Sequence, residues 1–138
     1  MKSRETLIRL KKFQVDEKRR RVAQIEAMIA DFQRMSVDLE REIHSEQERA
    51  GINDPSHFAY PTYAKAAIQR RENLTRSADE LRIQLEEAKS LLGEAFDELK
   101  KVELLDERDQ ARERAEENAR EQADLDSIGL MRARLGIA

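Results

Sequence analysis

For its first fifty residues the chain offers neither glycine nor proline, and then Gly51, Pro55 and Pro61 fall together in GINDPSHFAYP, residues 51–61. A long stretch without a breaker followed by a cluster of breakers predicts one long helix, a bend and a second helix. Such helices can bury only a stripe. Charged residues make up 40% of the chain and apolar residues 39%; the charge is well above the roughly one quarter usual in globular domains and matches helices packed along a narrow seam. The reading is all-α: a long antiparallel two-helix coiled-coil hairpin with a C-terminal helical overhang. Its expected parts are a first helix over about 3–49, a bend at 50–61, a second helix over about 62–125 and a flexible tail at 126–138, all in a single domain spanning 1–138.

The seam is readable residue by residue. On the first helix one heptad set is Ile8, Val15, Val22, Ile29, Ser36, Ile43 and Ala50, and the other is Lys11, Lys18, Ile25, Phe32, Leu39 and Glu46. The second set is apolar only in its middle, so the best seam is expected from Val22 to Ile43. The second helix carries Leu74, Ala78, Leu81, Leu85, Ala88, Leu92, Ala95, Leu99 and Val102 at alternating spacings of four and three. Alanines between leucines let a partner helix approach closely, which predicts pairing within one chain rather than a symmetric zipper.

Local chemistry fits this plan. Ser3 is a plausible cap for the first helix, although no Glu or Gln stands three places on. Gly51 suits the left-handed residue that ends a helix, Asp54 before Pro55 suits a short turn, and Pro61 suits the first turn of the next helix. His57, Phe58, Tyr60 and Tyr63 are expected to pack the bend.

Beyond about Leu104–Asp106 the second helix outruns the first, by about 20 residues or roughly 30 Å. Residues 106–124 hold 12 charged side chains in 19 and no breaker, with apolar content limited to Ala111, Ala115, Ala119 and Ala123. Alone, that segment is expected to fray. Charge is also segregated: residues 1–21 carry nine basic and three acidic side chains, and residues 94–126 carry 13 acidic and six basic. An antiparallel hairpin brings these opposite charges together. Leu7, Leu10 and Phe13 spread around the first helix instead of joining its seam, and Leu104 and Leu105 add apolar surface at a similar height, so a protein partner is expected there.

Several functions find no support in these residues. The chain shows no phosphate loop, no HExxH, no nucleophile elbow and no cysteine, and His44 and His57 stand without metal-ligand spacing. An enzyme, a cofactor and a metal are not expected. The basic KRRR at 18–21 precedes a heptad seam as in a basic zipper, but it is interleaved with apolar residues and an acidic arm folds back on it, so nucleic acid is not expected. The near-balanced charge of -3 agrees. Neither the start MKSRETLIRLKKF nor the end IGLMRARLGIA has the length and aromatic anchors of a membrane segment.

With Leu7, Leu10 and Arg19 to Arg21 on the first helix, a central bend, and KKVELLDERDQARERAEENAREQADLD at 100–126, the chain resembles the FliJ family of the bacterial flagellar type III export apparatus, in its alphaproteobacterial form. The resemblance covers nearly the whole chain. It implies a non-enzymatic, cytoplasmic protein, peripheral at the cytoplasmic face of the export apparatus. It further implies binding to the export ATPase FliI, with promotion of ring assembly and activity, and contacts with the export gate protein FlhA and with export chaperones. On this chain the implied partner-binding residues are Leu7, Leu10, Phe13, Arg19, Arg20, Arg21, Leu99, Leu104, Leu105, Arg108 and Arg112, with an outward face near mid-rod left for the gate. Ser127 stands after Asp126 where the family commonly has Glu, which leaves the role of the last turns open. A monomer is expected in isolation; the alternative is a self-associating structural or adaptor coiled coil without an ATPase partner.

Overall fold

The computed structural model describes residues 2–136 and contains two helices, α1 (Lys2–Ala50) and α2 (Thr62–Arg134). They run antiparallel and pack on each other, and no strand occurs among the described residues. Two compact units are resolved: one holds the described residues up to Lys12 together with those from Phe96 onward, and the other is Phe13–Ala95.

The Phe13–Ala95 unit contains the apolar core. Val15, Ile25, Ile29, Leu39 and Ile43 of α1 are buried, facing Ala64, Ala67, Ala78, Leu81, Ala88 and Ala95 of α2. Ile25, Ile29, Leu81 and Ala88 form one cluster with Val22, Phe32 and Leu85 against it; Leu39, Ile43 and Ala67 form another with Ile68 and Leu74. Large β-branched and leucine side chains on α1 thus meet alanines on α2, which lets two narrow helices exclude water without a third layer. The buried seam starts at Val15, one heptad earlier than the apolar pattern alone suggests, and on α2 it extends back to Ala64.

The bend follows its local chemistry in part. Gly51 has φ of 68° and its N–H donates to the Gln47 carbonyl at 2.8 Å, ending α1 in a conformation that a side chain would strain. The Asp54 carboxylate accepts from the Ser56 hydroxyl at 2.7 Å and the Ser56 N–H at 3.0 Å, and these two bonds hold its pKa below the usual carboxylate value. The Pro61 carbonyl accepts from the Lys65 N–H at 3.1 Å, so Pro61 stands just before α2 rather than inside its first turn. Of the four residues expected to pack the bend, only Tyr60 is buried; its hydroxyl accepts a 2.8 Å bond from Gln47. Phe58 is 95% exposed and stacks only on His57, because a turn this short has no second layer to cover it. Tyr63 is exposed and donates to Glu42 at 2.7 Å, and that carboxylate raises the phenol pKa.

Two expected boundaries change. α1 begins at Lys2 rather than at a Ser3 cap, and Met1 lies outside the described residues. The expected flexible tail at 126–138 is helical through Arg134, and 137–138 lie outside the described residues. Nothing between Asp126 and Leu135 breaks a helix except Gly129, which costs only about 1 kcal/mol against alanine. The stop comes at Gly136, with φ of 72°.

Candidate partner-binding surface

In the unit holding the start of α1, the seam positions change character. No apolar residue in this unit is buried among the described residues; Ile8, Leu99 and Val102 are half-buried. Charge takes over the pairing. Arg4 occupies the heptad column of Lys11, Lys18 and Ile25, and on α2 the stripe through Leu99 and Val102 continues at Asp106 and Asp109. Arg4 Nη1 lies 3.5 Å from carboxylate oxygens of both aspartates without a hydrogen bond of its own, and Arg4 Nη2 donates to Glu113 at 2.8 Å. Lys11 donates to Glu98 at 3.0 Å. The Arg4 and Asp106 side chains are each only 19% exposed, so this clasp is partly shielded from solvent.

A clasp of this kind is sensitive to salt in a way an apolar seam is not. Raising ionic strength toward 1 M shortens the screening length to about 3 Å, and partly exposed ion pairs contribute about 0.2–1 kcal/mol each. Amide hydrogens of residues 5–12 are therefore expected to exchange about tenfold faster in 1 M salt, while those around Ile25 and Ile29 change little. Equal change in both regions, read by hydrogen–deuterium exchange, would contradict the ionic account.

Among the expected site residues, Leu7, Leu10, Leu104 and Leu105 lie in this unit and are 42, 49, 52 and 50% exposed. Leu10 sits on the outward side of α1, away from Ile8 and Lys11. Leu104, Leu105 and Arg108 line a shallow open depression with Lys101, Glu107 and Ala111. Arg112 donates to Asp109 at 3.0 Å and so extends the Arg4 clasp. Leu99 differs: it is half-buried in the seam stripe, so most of its surface serves hairpin pairing.

The remaining expected residues lie in the Phe13–Ala95 unit. Phe13 is 53% exposed on the side of α1 opposite buried Val15. Arg19 is 3.8 Å from the Asp16 carboxylate, and Arg20 Nε donates to the Asp16 carbonyl at 3.4 Å. Arg21 borders a depression lined also by Glu17, Gln84, Glu87 and Leu91. Reading the seam alone passed over exposed Met28 and Met35; their signal is their spacing of seven, one position ahead of Ile29 and Ser36. Leu125, Ile128, Leu130, Met131 and Leu135 near the end of α2, the last four within the IGLMRARLGIA segment weighed above only as a membrane anchor, are all exposed.

No group of three or more His, Cys, Asp or Glu among the described residues can hold a metal ion, and no described helix is long and apolar enough to cross a membrane. Two long helices joined by a tight bend, with leucines and paired charges on their open surface, define a coiled-coil hairpin. Comparison with protein families gives a match over residues 1–136 to the family described as Flagellar FliJ protein, and the chain belongs to that family. Comparisons with curated proteins and with solved structures gave no significant match. Membership makes the chain a non-enzymatic component of the flagellar type III export apparatus, associating with other components of that machinery.

Proposed function

We propose that the chain binds the ring of the export ATPase FliI and promotes its assembly and activity, and that it links the ATPase to the gate protein FlhA and to export chaperones at the cytoplasmic face of the apparatus. The observation that carries this reading is the end of the hairpin where Leu7, Leu10, Leu104 and Leu105 are all exposed beside a clasp of charges and no buried apolar residue. Soluble proteins seldom leave large side chains uncovered this densely unless another protein covers them. The ion pairs keep the two helices aligned there without using up the leucines. A helix is only about 10–12 Å across with its side chains, so paired helices suit entry into an oligomeric ring. Preferential binding to one state of the ring shifts its population, and turnover with it, without an active site on the chain itself. Arg19, Arg20 and Arg21, on a solvent-facing part of α1, add charge for steering.

Leu104→Asp with Leu105→Asp is the direct test. Both positions are exposed, so helicity is expected to stay unchanged, while affinity for the ATPase, read by fluorescence anisotropy on labelled chain, is expected to fall about a hundredfold, as for loss of a central apolar anchor. Unchanged affinity in the folded double variant would remove this surface from the proposal.

A further inference from the structure

Beyond the clasp, α2 continues alone. Every residue from Gln110 to Gly136 is exposed. Yet this segment is not uniformly polar: Leu125, Ile128, Met131 and Leu135 are 62, 50, 59 and 68% exposed, and Leu130, on the opposite side of the helix, is 63% exposed. Asn118, Glu121, Leu125, Ile128, Arg132 and Leu135 follow one another at spacings of three, four, three, four and three. Those spacings form one heptad stripe, continuous helix through Arg132 with Leu135 just past the last helical residue and its N–H donating to the Met131 carbonyl at 3.0 Å; apolar residues stand at its centre, with Glu121 on one side and Arg132 on the other.

We propose that this stripe pairs two copies of the chain, the tail of one lying antiparallel on the tail of the other. The charge pattern selects the register. Laying Leu125 against Ile128 of the second copy also lays Glu121 against Arg132 of the second copy, and Asn118 against Leu135. Two-fold symmetry then produces each of these layers twice, giving two apolar layers enclosed by two ion pairs. The flanks agree: Asp124 falls beside Met131 of the second copy, and Gln122 falls beside Gly129, so no like charges meet. A parallel pairing would instead stack Glu121 on Glu121 and Arg132 on Arg132.

The contact involves one face of residues 118–135, six stripe residues with their flanks per copy. That is well below the roughly 20–30 residues a side of a standard interface, so association is weak, with a dissociation constant on the order of 100 μM. At low micromolar concentration the chain is a monomer. Dimers form where copies are crowded, and pairing covers Leu125, Ile128 and Leu135, while Leu130 stays on the outer side. This inference concerns association of the chain with itself and is tested on the chain alone, with no ATPase present.

The absence of cysteine from the chain permits a clean test of register. Full-length Leu125→Cys and Ile128→Cys variants, mixed at about 200 μM under mild oxidation, are expected to give the mixed disulfide at least about fivefold over either same-site disulfide, because only the facing pair reaches the Cα separation of about 4.4–6.8 Å that a disulfide needs. In sedimentation equilibrium, Glu121→Arg or Arg132→Glu alone is expected to weaken association about tenfold. Combining the two is expected to restore it to within about threefold, as an exchanged pair does. A statistical mixture of disulfides would overturn the proposal, as would a double variant no better than the singles or a chain that stays monomeric at 500 μM.

Discussion

Replacing Ile25 by alanine is expected to destabilise the protein by about 2–4 kcal/mol, the cost of removing a buried branched side chain and leaving a partly relaxed cavity. Ile25 is 1% exposed and is the largest fully buried side chain among the described residues. It sits in the cluster with Ile29, Leu81 and Ala88. Its neighbours Ile29, Leu81 and Ala88 are themselves packed in the cluster, so the cavity is expected to close only in part. Phe13→Ala removes a larger side chain yet is expected to change stability by less than about 0.5 kcal/mol, since Phe13 is 53% exposed. Urea unfolding followed by circular dichroism distinguishes the two. A Phe13 effect as large as that of Ile25 would mean that Phe13 packs within the folded chain and is not available to a partner.

Removing the chain from Gln110 onward is expected to separate folding from function. All of Gln110–Gly136 is exposed, so the deletion exposes no core, and the two clusters around Ile25 and Leu39 remain intact. It does remove the 2.8 Å bond from Arg4 to Glu113, leaving Asp106 and Asp109 to hold Arg4. The shortened chain is expected to keep its unfolding midpoint within about 0.5 kcal/mol of the full chain in free-energy terms. Its stimulation of the export ATPase is expected to fall about tenfold or more. A deletion that retains full stimulation would confine the ATPase contact to Leu7, Leu10, Leu104, Leu105 and their neighbours. A deletion that unfolds the chain would show that the overhang stabilises the seam.

The seam was legible in the sequence because small and large apolar residues alternate there without interruption. Each residue from Leu74 through Val102 on the expected stripe is buried or half-buried. Legibility failed where polar residues take seam positions. Lys11 and Lys18 look like gaps in a heptad column, and only the structure shows Arg4 and Lys11 meeting Glu98, Asp106, Asp109 and Glu113 across the helices. The end of α2 was also misplaced: helix was expected through about 125 and a flexible tail after it, whereas no strong breaker stands between Asp126 and Leu135 and the helix runs to Arg134. The bend shows the same split. Gly51 and Asp54 act through local backbone geometry and were readable, but burial of Tyr60 and exposure of Phe58 depend on which helix face the turn meets. For the candidate site, exposure of Leu7, Leu10, Phe13, Leu104 and Leu105 was legible from their departure from the heptad, while the half-burial of Leu99 follows from its place in the stripe.

The most direct measurement is the steady-state rate of the cognate export ATPase titrated with this chain, with ring assembly followed in the same samples by light scattering. The account predicts that the rate rises as the chain is added, that assembly moves to lower ATPase concentration, and that Leu104→Asp with Leu105→Asp abolishes both. An active ATPase whose rate and assembly are unchanged by the folded chain at saturating concentration would contradict it.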